Sequence, residues 1–382
     1  MSTEESLLLI PGPIVVSEAV KAAQSIQSLS HTSPEFIAIF QGALKNLRKL
    51  FKSSNPKDQP VVISASGTLG WDITASNLVS AGDNVLVLST GFFSDSFAEA
   101  LRVYDVNVDV LTAPLGDVNS IESIEQQLKK KKYAAITITH VDTSTAVVQD
   151  IQSISAAVHK TSPETLVVVD GVCSVAVEDI EFTKWGLDYV LTASQKAIGV
   201  PSGLSIGFLS ERAVTKAMNR EKQSTFFASL KRWIPILQNY EAGKPSYFAT
   251  PAIQLVNALN VSLEEILAGG LEQRFSKNKQ VSRDFKGKLV NELGLRLVSV
   301  KDDVAASGLT AVYFPEGIKG SDLLPSIYKK GVVLAGGIHS QIKNDYFRIG
   351  HMGVSALDDN LGHIAKAYDA IKTSLAELGY SK

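Results

Sequence analysis

The stretch that decides the fold is DYVLTASQKAIGVPSGLSIGFL, residues 188–209. Its pattern predicts two apolar strands, Tyr189–Thr192 and Leu204–Leu209, joined by a loop of small residues with Gly and Pro turns. Apart from the aspartate that begins it, Lys196 is the only charged residue in the stretch. Apolar surroundings disfavour an ammonium group and lower its pKa, so Lys196 is a candidate nucleophile toward carbonyl groups. The stretch alone leaves open a lysine that simply extends from an apolar loop into solvent.

Composition indicates a soluble globular protein with one large and one small domain, or two domains. The 382 residues are 45% hydrophobic, with a mean hydropathy of +0.10. Thirty-seven basic and 39 acidic residues nearly balance, so neither nucleic acid nor a membrane surface is expected as a partner. A single cysteine, Cys173, excludes an intrachain disulfide. Without a membrane span or a recognisable leader, the cytoplasm is the default compartment, and mitochondria and peroxisomes stay open.

Strands and helices alternate upstream of this stretch. The predicted strands are Val61–Ser64, Asn84–Leu88, Val106–Leu111, Ala134–Thr139 and Leu166–Val169, and the predicted helices between them are Thr68–Ser80, Phe93–Tyr104, Ser120–Lys131 and Ile151–Lys160. Continuous apolar strands separated by amphipathic helices predict a mostly parallel sheet with helices on both faces. Ligands bind such sheets at the carboxyl ends of the strands, so the residues that follow each strand are the candidates.

Small and hydroxyl residues follow the first of these strands, at Ser66, Gly67 and Thr68. Backbone N–H groups at the start of a helix, with two hydroxyls beside them, suit a phosphate group. The segment is neither G-x-G-x-x-G nor a P-loop, and an ordinary N-cap is the alternative.

Three later strand ends offer further candidates. Phe92 and Phe93 follow the second strand, where they would stack on a planar ring or fill the core. Thr143 lies in a hydroxyl-rich turn that would bind a ligand or cap the next segment. Asp170 ends an apolar strand and needs a partner, either a cationic ligand nitrogen or a local turn. A planar ligand with a carbonyl, a ring nitrogen and a phosphate would use all these features, and pyridoxal 5'-phosphate (PLP) is such a ligand.

The order and spacing of short motifs along nearly the whole chain resemble the class V aminotransferases, a group of fold-type I PLP enzymes. The motifs are Pro11-Gly12-Pro13, Ser66-Gly67-Thr68, Thr139-His140, Asp170-Gly171-Val172, Ser194-Gln195-Lys196 with Pro201-x-Gly203, Tyr247-x-x-Thr250-Pro251 and Phe347-Arg348-Ile349-Gly350. The resemblance implies an α/β fold with a mostly parallel sheet. It divides the chain into an arm (1–16), a PLP-binding large domain (17–263) and a small C-terminal α+β domain (264–382).

The small domain is predicted from a mixed pattern. Its helices would be Leu271–Leu293 and Ser321–Lys330, and its strands Leu295–Val300, Gly308–Phe314 and Tyr346–Ile349. The arm would join this domain or cross to a partner subunit.

The resemblance also implies a role for each matching residue in cofactor binding. Lys196 would bond covalently to the cofactor and Asp170 would pair with its ring nitrogen. Phe93 would stack on the ring, where animal relatives have tryptophan, and Thr143 would bond near the ring hydroxyl. The phosphate would be held by Ser66, Gly67, Thr68 and Gln195.

Four further residues are implied at the edges of this site. Tyr247 and Thr250 would reach the phosphate of a neighbouring subunit, which implies a homodimer. For Thr250, the residues also allow an N-cap of a helix that runs to about Leu267. Arg348 would hold the substrate carboxylate, Gly12 would also contact the substrate, and no metal is implied. From the residues alone, Arg348 could instead form a surface salt bridge.

The implied reaction moves the amino group of L-alanine to glyoxylate, giving pyruvate and glycine. A small amino acid and a 2-oxo acid are therefore the expected substrates, and serine with pyruvate or glyoxylate is the alternative. A cysteine desulfurase-like lyase needs a reactive cysteine and has His before the lysine, whereas Gln195 stands here and Cys173 is expected to be buried. A non-catalytic homodimer is disfavoured by the intact lysine, and a nicotinamide oxidoreductase by the missing G-x-G-x-x-G.

Overall fold

The computed structural model describes residues 6–382. The strands are β1 Leu7–Leu8, β2 Gln59–Ser64, β3 Asn84–Ser89, β4 Asn107–Thr112, β5 Ala135–Thr139, β6 Val141–Asp142, β7 Val147–Val148, β8 Leu166–Asp170, β9 Tyr189–Ala193, β10 Leu204–Leu209, β11 Leu309–Tyr313, β12 Val332–Val333, β13 Ala335–Gly336 and β14 Tyr346–Gly350. The α-helices are α1 Glu18–Gln24, α2 Pro34–Leu50, α3 Leu69–Ile73, α4 Phe92–Val103, α5 Ile121–Leu128, α6 Ile151–Thr161, α7 Glu211–Met218, α8 Leu230–Glu241, α9 Ile253–Ala268, α10 Leu271–Asn291, α11 Gly320–Lys329, α12 Val354–Leu357 and α13 His363–Glu377.

A seven-stranded sheet with the order β2-β10-β9-β8-β5-β3-β4 forms the centre of the larger hydrophobic core. All neighbours are parallel except β10, which runs antiparallel to both β9 and β2. Every residue of β5, β8, β9 and β10 is buried. The continuous apolar runs therefore belong to strands covered on both faces, as predicted. The carboxyl ends of β2, β3, β5, β8 and β9 lie along one edge.

The C-terminal part of the chain has a second, smaller core. The strands β11, β14 and β13 form an antiparallel sheet against α10, α11 and α13. The arm joins this part, because β1 pairs in parallel with β12 and Leu7 lies opposite Val332. Leu9 extends the contact, since its backbone N–H donates to Val333 O at 3.0 Å and its carbonyl accepts from Gly350 N at 2.7 Å.

The prediction of a strand over Leu295–Val300 is wrong. Only Leu297 pairs, through an isolated bridge to Val312. The alternation of apolar and polar residues is present, but Val300 donates its N–H to Gly116 O at 3.0 Å. The chain thus leaves β11 after one bridge.

The predicted N-cap at Thr250 is also wrong. Helix α9 begins at Ile253, after an N-cap at Ala252 that has no side-chain bond. The Ala252 N–H donates instead to the Ser64 hydroxyl at 2.8 Å, so β2 rather than Thr250 fixes the start of this helix.

Two helices of the large domain differ from their predicted lengths. The helix predicted over Thr68–Ser80 is α-helical only in α3, and Thr74–Leu78 form a π-helical turn, a form often found near functional sites. The helix predicted to end at Lys131 ends at Leu128, and Lys131 lies 2.9 Å from the Asp109 carboxylate. Among residues 6–382, no helix has both the length and the apolar character needed to cross a membrane.

Candidate active site

A cavity of about 150 Å³ lies at the carboxyl edge of the large sheet. Eight of the residues predicted for the site line it: Ser66, Gly67, Thr68, Phe93, Thr143, Asp170, Gln195 and Lys196. They come from the ends of five different segments of the chain, so the edge of the sheet brings them together. The cavity is also lined by Trp71, Thr139, Val141, Val172 and Cys173.

Asp170 is the buried carboxylate of this cavity, with 3% of its surface exposed. Its Oδ1 accepts a hydrogen bond from the Val172 N–H at 3.0 Å, and its Oδ2 accepts one from Trp71 Nε1–H at 2.8 Å. Burial raises the pKa of Asp170 to about 6, and these two donors act against that rise. The carboxylate is therefore buried with neutral donors, in a place that favours a cationic partner.

Lys196 reaches the same cavity from the loop after β9. Its Nζ donates to the backbone carbonyl of Pro11 in the arm. Gly12 is packed against the lysine side chain, since a Cβ on Gly12 would lie 2.3 Å from Lys196 Cδ and 2.6 Å from Nζ. Ile14 donates its N–H to Gln195 O at 3.1 Å and holds the arm in this position.

The turn Ser66–Thr68 lies close against the sheet. A Cβ on Gly67 would be 2.8 Å from the Ala193 Cβ, so glycine is required for this approach. Thr68 precedes α3 but makes no capping bond with its side chain. The side chain of Thr68 therefore does not cap α3, and this residue is exposed beside the cavity.

Phe93 is fixed by a residue that the sequence did not single out. Asp142 is fully buried, and its Oδ2 accepts from the Phe93 and Ser94 N–H groups at 3.1 and 3.2 Å. Its Oδ1 accepts from the Ser144 hydroxyl at 2.6 Å. Helix α4 is preceded by Gly91, which has no side chain to cap the helix, so Asp142 of β6 supplies the capping carboxylate. The signal was an aspartate within an otherwise hydroxyl-rich turn.

Arg348 lies on the fully buried strand β14 and does not line the cavity itself, but it contacts the cavity residue Thr143. Its Nε–H donates to Gly336 O at 2.8 Å and its Nη1 to Thr143 O at 3.2 Å. Among residues 6–382, no carboxylate forms a salt bridge with it. Burial lowers the pKa of its guanidinium. A buried cation that has only carbonyl partners is suited to an anionic ligand.

Tyr247 and Thr250 are outside this cavity. Both are exposed on the surface, Tyr247 with 59% of its area, and Tyr247 contacts only the ring of His31 among the aromatic side chains described. The cavity of a single chain therefore brings together eight of the twelve predicted site residues. Gly12, Tyr247, Thr250 and Arg348 do not line it.

Comparison with known proteins agrees with this geometry. The family model of the class-V aminotransferases matches residues 17–354. The chain belongs to the class V aminotransferases. It is 50% identical over 386 aligned residues to alanine–glyoxylate aminotransferase 1 of Saccharomyces cerevisiae, covering 98% of this chain and 99% of that protein. It is 28% identical to a serine–glyoxylate aminotransferase of Arabidopsis thaliana, covering 98% and 91%.

A solved structure, that of an alanine–glyoxylate aminotransferase from Nostoc sp., has the same fold. It superposes with a TM-score of 0.89 at 25% identity, and the match covers 98% of this chain and 96% of that one. The predicted fold type is thereby confirmed.

The class V aminotransferase family implies PLP as cofactor, and the cavity fits this group. The side-chain oxygens Thr139 Oγ1 and Gln195 Oε1 are buried without a hydrogen-bond partner among the described residues. A buried polar atom without a hydrogen-bond partner lowers the stability of the fold, so a polar ligand in this cavity would supply the missing partners of these two oxygens. The donor set also matches, with a lysine, a carboxylate, an aromatic ring and a glycine turn around one space.

Cys173 lines the cavity of this aminotransferase as a buried thiol. It is 3% exposed, and burial raises its pKa to about 11. Its Sγ lies 3.8 Å from Pro11 O. Because the thiolate is the reactive form, this environment is that of an inert cysteine, as predicted.

An acidic cluster away from this cavity is an ion-pair network. The carboxylates of Asp179, Glu181 and Glu272 lie within 4.8 Å of one another. The ammonium group of Lys52 lies 2.7, 2.9 and 2.8 Å from them. Because a cation of the chain already occupies the centre, we assign no metal site to this cluster.

Proposed function

We propose that this aminotransferase moves the amino group of L-alanine to glyoxylate and releases pyruvate and glycine. The observation that supports a carboxylate substrate is Arg348, a buried guanidinium without a carboxylate partner among residues 6–382. It donates to the carbonyl of Thr143, which lines the cavity that contains Lys196. The choice of alanine and glyoxylate is supported by 50% identity to the yeast enzyme over nearly the whole chain.

PLP, when bound, supplies an electron sink that stabilises negative charge at the substrate Cα. We assign its ring nitrogen to Asp170 and its phosphate to Ser66, Gly67, Thr68 and Gln195. Phe93 would cover one face of the ring, and Thr143 would lie near the ring hydroxyl. All of these residues line the one cavity.

Lys196 has two roles in this proposal. It holds the cofactor covalently before the substrate arrives. With the amine free, Lys196 would act as general base on the proton of the substrate Cα and, in its protonated form, would deliver that proton to the C4' carbon of the cofactor. The Pro11 carbonyl, which accepts from Nζ, keeps the amine near the cavity during that interval.

Asp170 keeps the ring nitrogen protonated. The carboxylate is buried, and a cation beside it would offset the desolvation that raises its pKa. The ionised carboxylate in turn stabilises the proton on the ring nitrogen, so each charge favours the other.

Arg348 orients the substrate. Its Nε and one Nη1 hydrogen are held by Gly336 O and Thr143 O, and the remaining N–H groups of the fork are left for a carboxylate. Orientation of the carboxylate fixes the direction of the Cα–H bond relative to Lys196, which is the geometric requirement for proton transfer.

A spectral titration tests the substrate assignment. Purified protein loaded with PLP is mixed with L-alanine, and its visible absorption is followed before and after addition of glyoxylate. We expect alanine to bleach the band of the lysine-bound cofactor and glyoxylate to restore it. A response to serine alone would replace alanine by serine as the donor, the activity named for the Arabidopsis relative.

We further propose that the active form is a homodimer in which Tyr247 and Thr250 reach the phosphate of the partner subunit. The support is a set of large aromatic side chains that a single chain leaves exposed. They are Phe92, Phe226, Phe227 and Tyr247, with exposed fractions of 43, 66, 41 and 59%. Aromatic residues are enriched at protein interfaces, where a partner would cover them.

Co-expression of two inactive variants tests this arrangement. One chain has Lys196→Ala, and the other has Tyr247→Ala with Thr250→Ala. A mixed dimer would contain one site with an intact lysine and intact partner residues, so activity should return in the mixture. If the mixture stays as inactive as each variant alone although the dimer forms, Tyr247 and Thr250 do not act across the interface.

A further inference from the structure

The indole of Trp71 links two anchors of the cofactor cavity. Trp71 is the third residue of α3, which begins directly after the turn Ser66–Thr68. Its Nε1–H donates to Asp170 Oδ2 at 2.8 Å, and its ring lines the same cavity as the turn. A single helical turn therefore connects the proposed phosphate site to the carboxylate proposed for the ring nitrogen.

The indole is held in one orientation. It stacks on Phe97 of α4, with ring centroids 5.5 Å apart and an angle of 18° between the planes. Helix α3 is itself held against the sheet at Gly70, where a Cβ would lie 2.7 Å from the Leu191 Cβ. The stacking on Phe97 and the close packing of α3 on the sheet together fix the direction of the indole N–H. The hydrogen bond from this N–H in turn holds the Asp170 carboxylate in place.

We propose that Trp71 is a positioning residue for the cofactor: its N–H keeps Asp170 ionised and aligned with the ring nitrogen. The inference rests on the proposed role of Asp170. Hydrogen bonds from two neutral donors, Trp71 and the Val172 N–H, reach different oxygens of this carboxylate. A donor to a buried carboxylate stabilises the charged form, so each of the two matters.

The charge balance at Asp170 gives the direction of the effect. Burial raises the pKa of Asp170 to about 6, and the bonds from the Val172 N–H and Trp71 oppose that rise. Of the charged groups that face Asp170, Asp142 raises its pKa and Lys196 lowers it. Without the indole N–H, the pKa of Asp170 would rise further, and the carboxyl group would be protonated over more of the neutral pH range. A neutral carboxylic acid attracts a protonated ring nitrogen less, so cofactor binding would be lost at a higher pH than in the wild type.

The substitution Trp71→Phe removes the donor and keeps an aromatic side chain. Equilibrium dialysis of the apoprotein with PLP between about pH 5 and 9 gives the dissociation constant as a function of pH. We expect an affinity about tenfold lower at neutral pH, the smaller end of what a hydrogen bond to a charged group contributes. We also expect the acidic limb of the profile to move to higher pH by about one unit.

The matched control is Tyr104→Phe. The Tyr104 hydroxyl donates to Asp72 Oδ1 at 2.8 Å, so this variant removes a bond from the neighbouring residue of the same helix and leaves Asp170 untouched. Its PLP profile should match the wild type. A second variant replaces Trp71 by 3-benzothienylalanine, which has sulfur in place of N–H at nearly the same shape, and therefore tests the donor even if Trp71→Phe does not fold.

The outcomes separate this inference from the proposed function. If the wild type binds no PLP at any pH, the proposed cofactor site fails. If the wild type binds PLP and both position-71 variants keep its affinity and its pH profile, the inference about Trp71 is overturned and the cofactor site stands. A weaker affinity with an unchanged acidic limb would also overturn it, because that result describes packing alone.

Discussion

The proposed active site has two sides that are built in different ways. The proposed cofactor side consists of Ser66–Thr68, Asp170 and Lys196, which lie at or after the carboxyl ends of strands of the large sheet. The proposed substrate side consists of Arg348 in β14, whose neighbours belong to the smaller core, and Gly12 in the arm that joins this core. The first side is fixed by neighbouring strands of one sheet. The second is fixed by contacts between distant segments of the chain.

The two sides meet at loops rather than at strands of the large sheet. Among the contacts between them, Ile14 donates its N–H to Gln195 O and Arg348 donates to Thr143 O. Both acceptors lie in loops after strands, so the strands of the sheet do not depend on these two contacts. We therefore expect changes on the cofactor side to affect cofactor and substrate together, and changes on the substrate side to spare the cofactor.

The largest effect is expected from Lys196→Ala on the cofactor side. Removal of the amine eliminates both the covalent bond and the general base, so turnover should fall by more than about a thousandfold. The visible absorption of the lysine-bound cofactor should vanish with it. Steady-state kinetics and an absorption spectrum measure both, with Lys160→Ala, an exposed lysine of α6, as the control. Full activity in the Lys196 variant would contradict the assignment.

Arg348→Ala is the sharpest test of the separation between the two sides. The loss of charge-assisted hydrogen bonds to the substrate carboxylate should lower kcat/KM for alanine by roughly a hundredfold. The dissociation constant for PLP should change by less than about threefold, because Arg348 contacts none of the proposed cofactor residues except the Thr143 carbonyl.

Arg348→Lys serves as the matched variant, since it keeps the charge but not the planar fork. It should lie between the wild type and Arg348→Ala in kcat/KM. If alanine affinity and PLP affinity fall in parallel in both variants, the two sides act as one unit and the comparison fails.

Gly12→Ala tests the point where the two sides touch. The new Cβ would lie against Lys196, 2.3 Å from Cδ, and the backbone has a φ of +107°. We expect kcat to fall by about tenfold, since a side chain in this conformation costs on the order of 1–2 kcal/mol and Lys196 must also move. Gly317→Ala is the control, because Gly317 has a φ of +82° with nothing within 4 Å of a Cβ. Equal kinetics in the two variants would show that the contact with Lys196 has no effect.

The sequence predicted the cofactor side better than the substrate side, for a physical reason. Apolar runs such as Leu166–Val169 must be buried strands, and in a parallel sheet their carboxyl ends meet at one edge. Asp170 and Lys196 could therefore be placed near each other without knowing the order of the strands. That order itself, with β10 inserted between β2 and β9, depends on pairings between distant segments and was not predictable from local pattern.

The contacts that fix the site were missed for a related reason. Trp71 lies in a helix that was predicted, but its bond to Asp170 joins residues 99 positions apart. Asp142 caps α4 although it lies 49 residues from Phe93, whose N–H it accepts. A local cap would come from the side chain of residue 91, which is a glycine. Local rules describe caps within one segment, so a cap or a donor supplied by another strand leaves no periodic signal.

The smallest effect is expected from Cys173→Ala. The thiol lies in the cavity between the two sides, with Pro11 O 3.8 Å from its sulfur, so its position alone would allow a third reactive group there. Burial, however, raises its pKa to about 11, and the protonated thiol is a poor nucleophile at neutral pH. We expect kcat/KM for alanine to change by less than about threefold, and wild-type protein to release no sulfide from L-cysteine. Sulfide release by the wild type that is lost in Cys173→Ala would show a second activity that depends on this thiol. The proposed roles of Lys196 and Arg348 would then account for only part of the chemistry of the site.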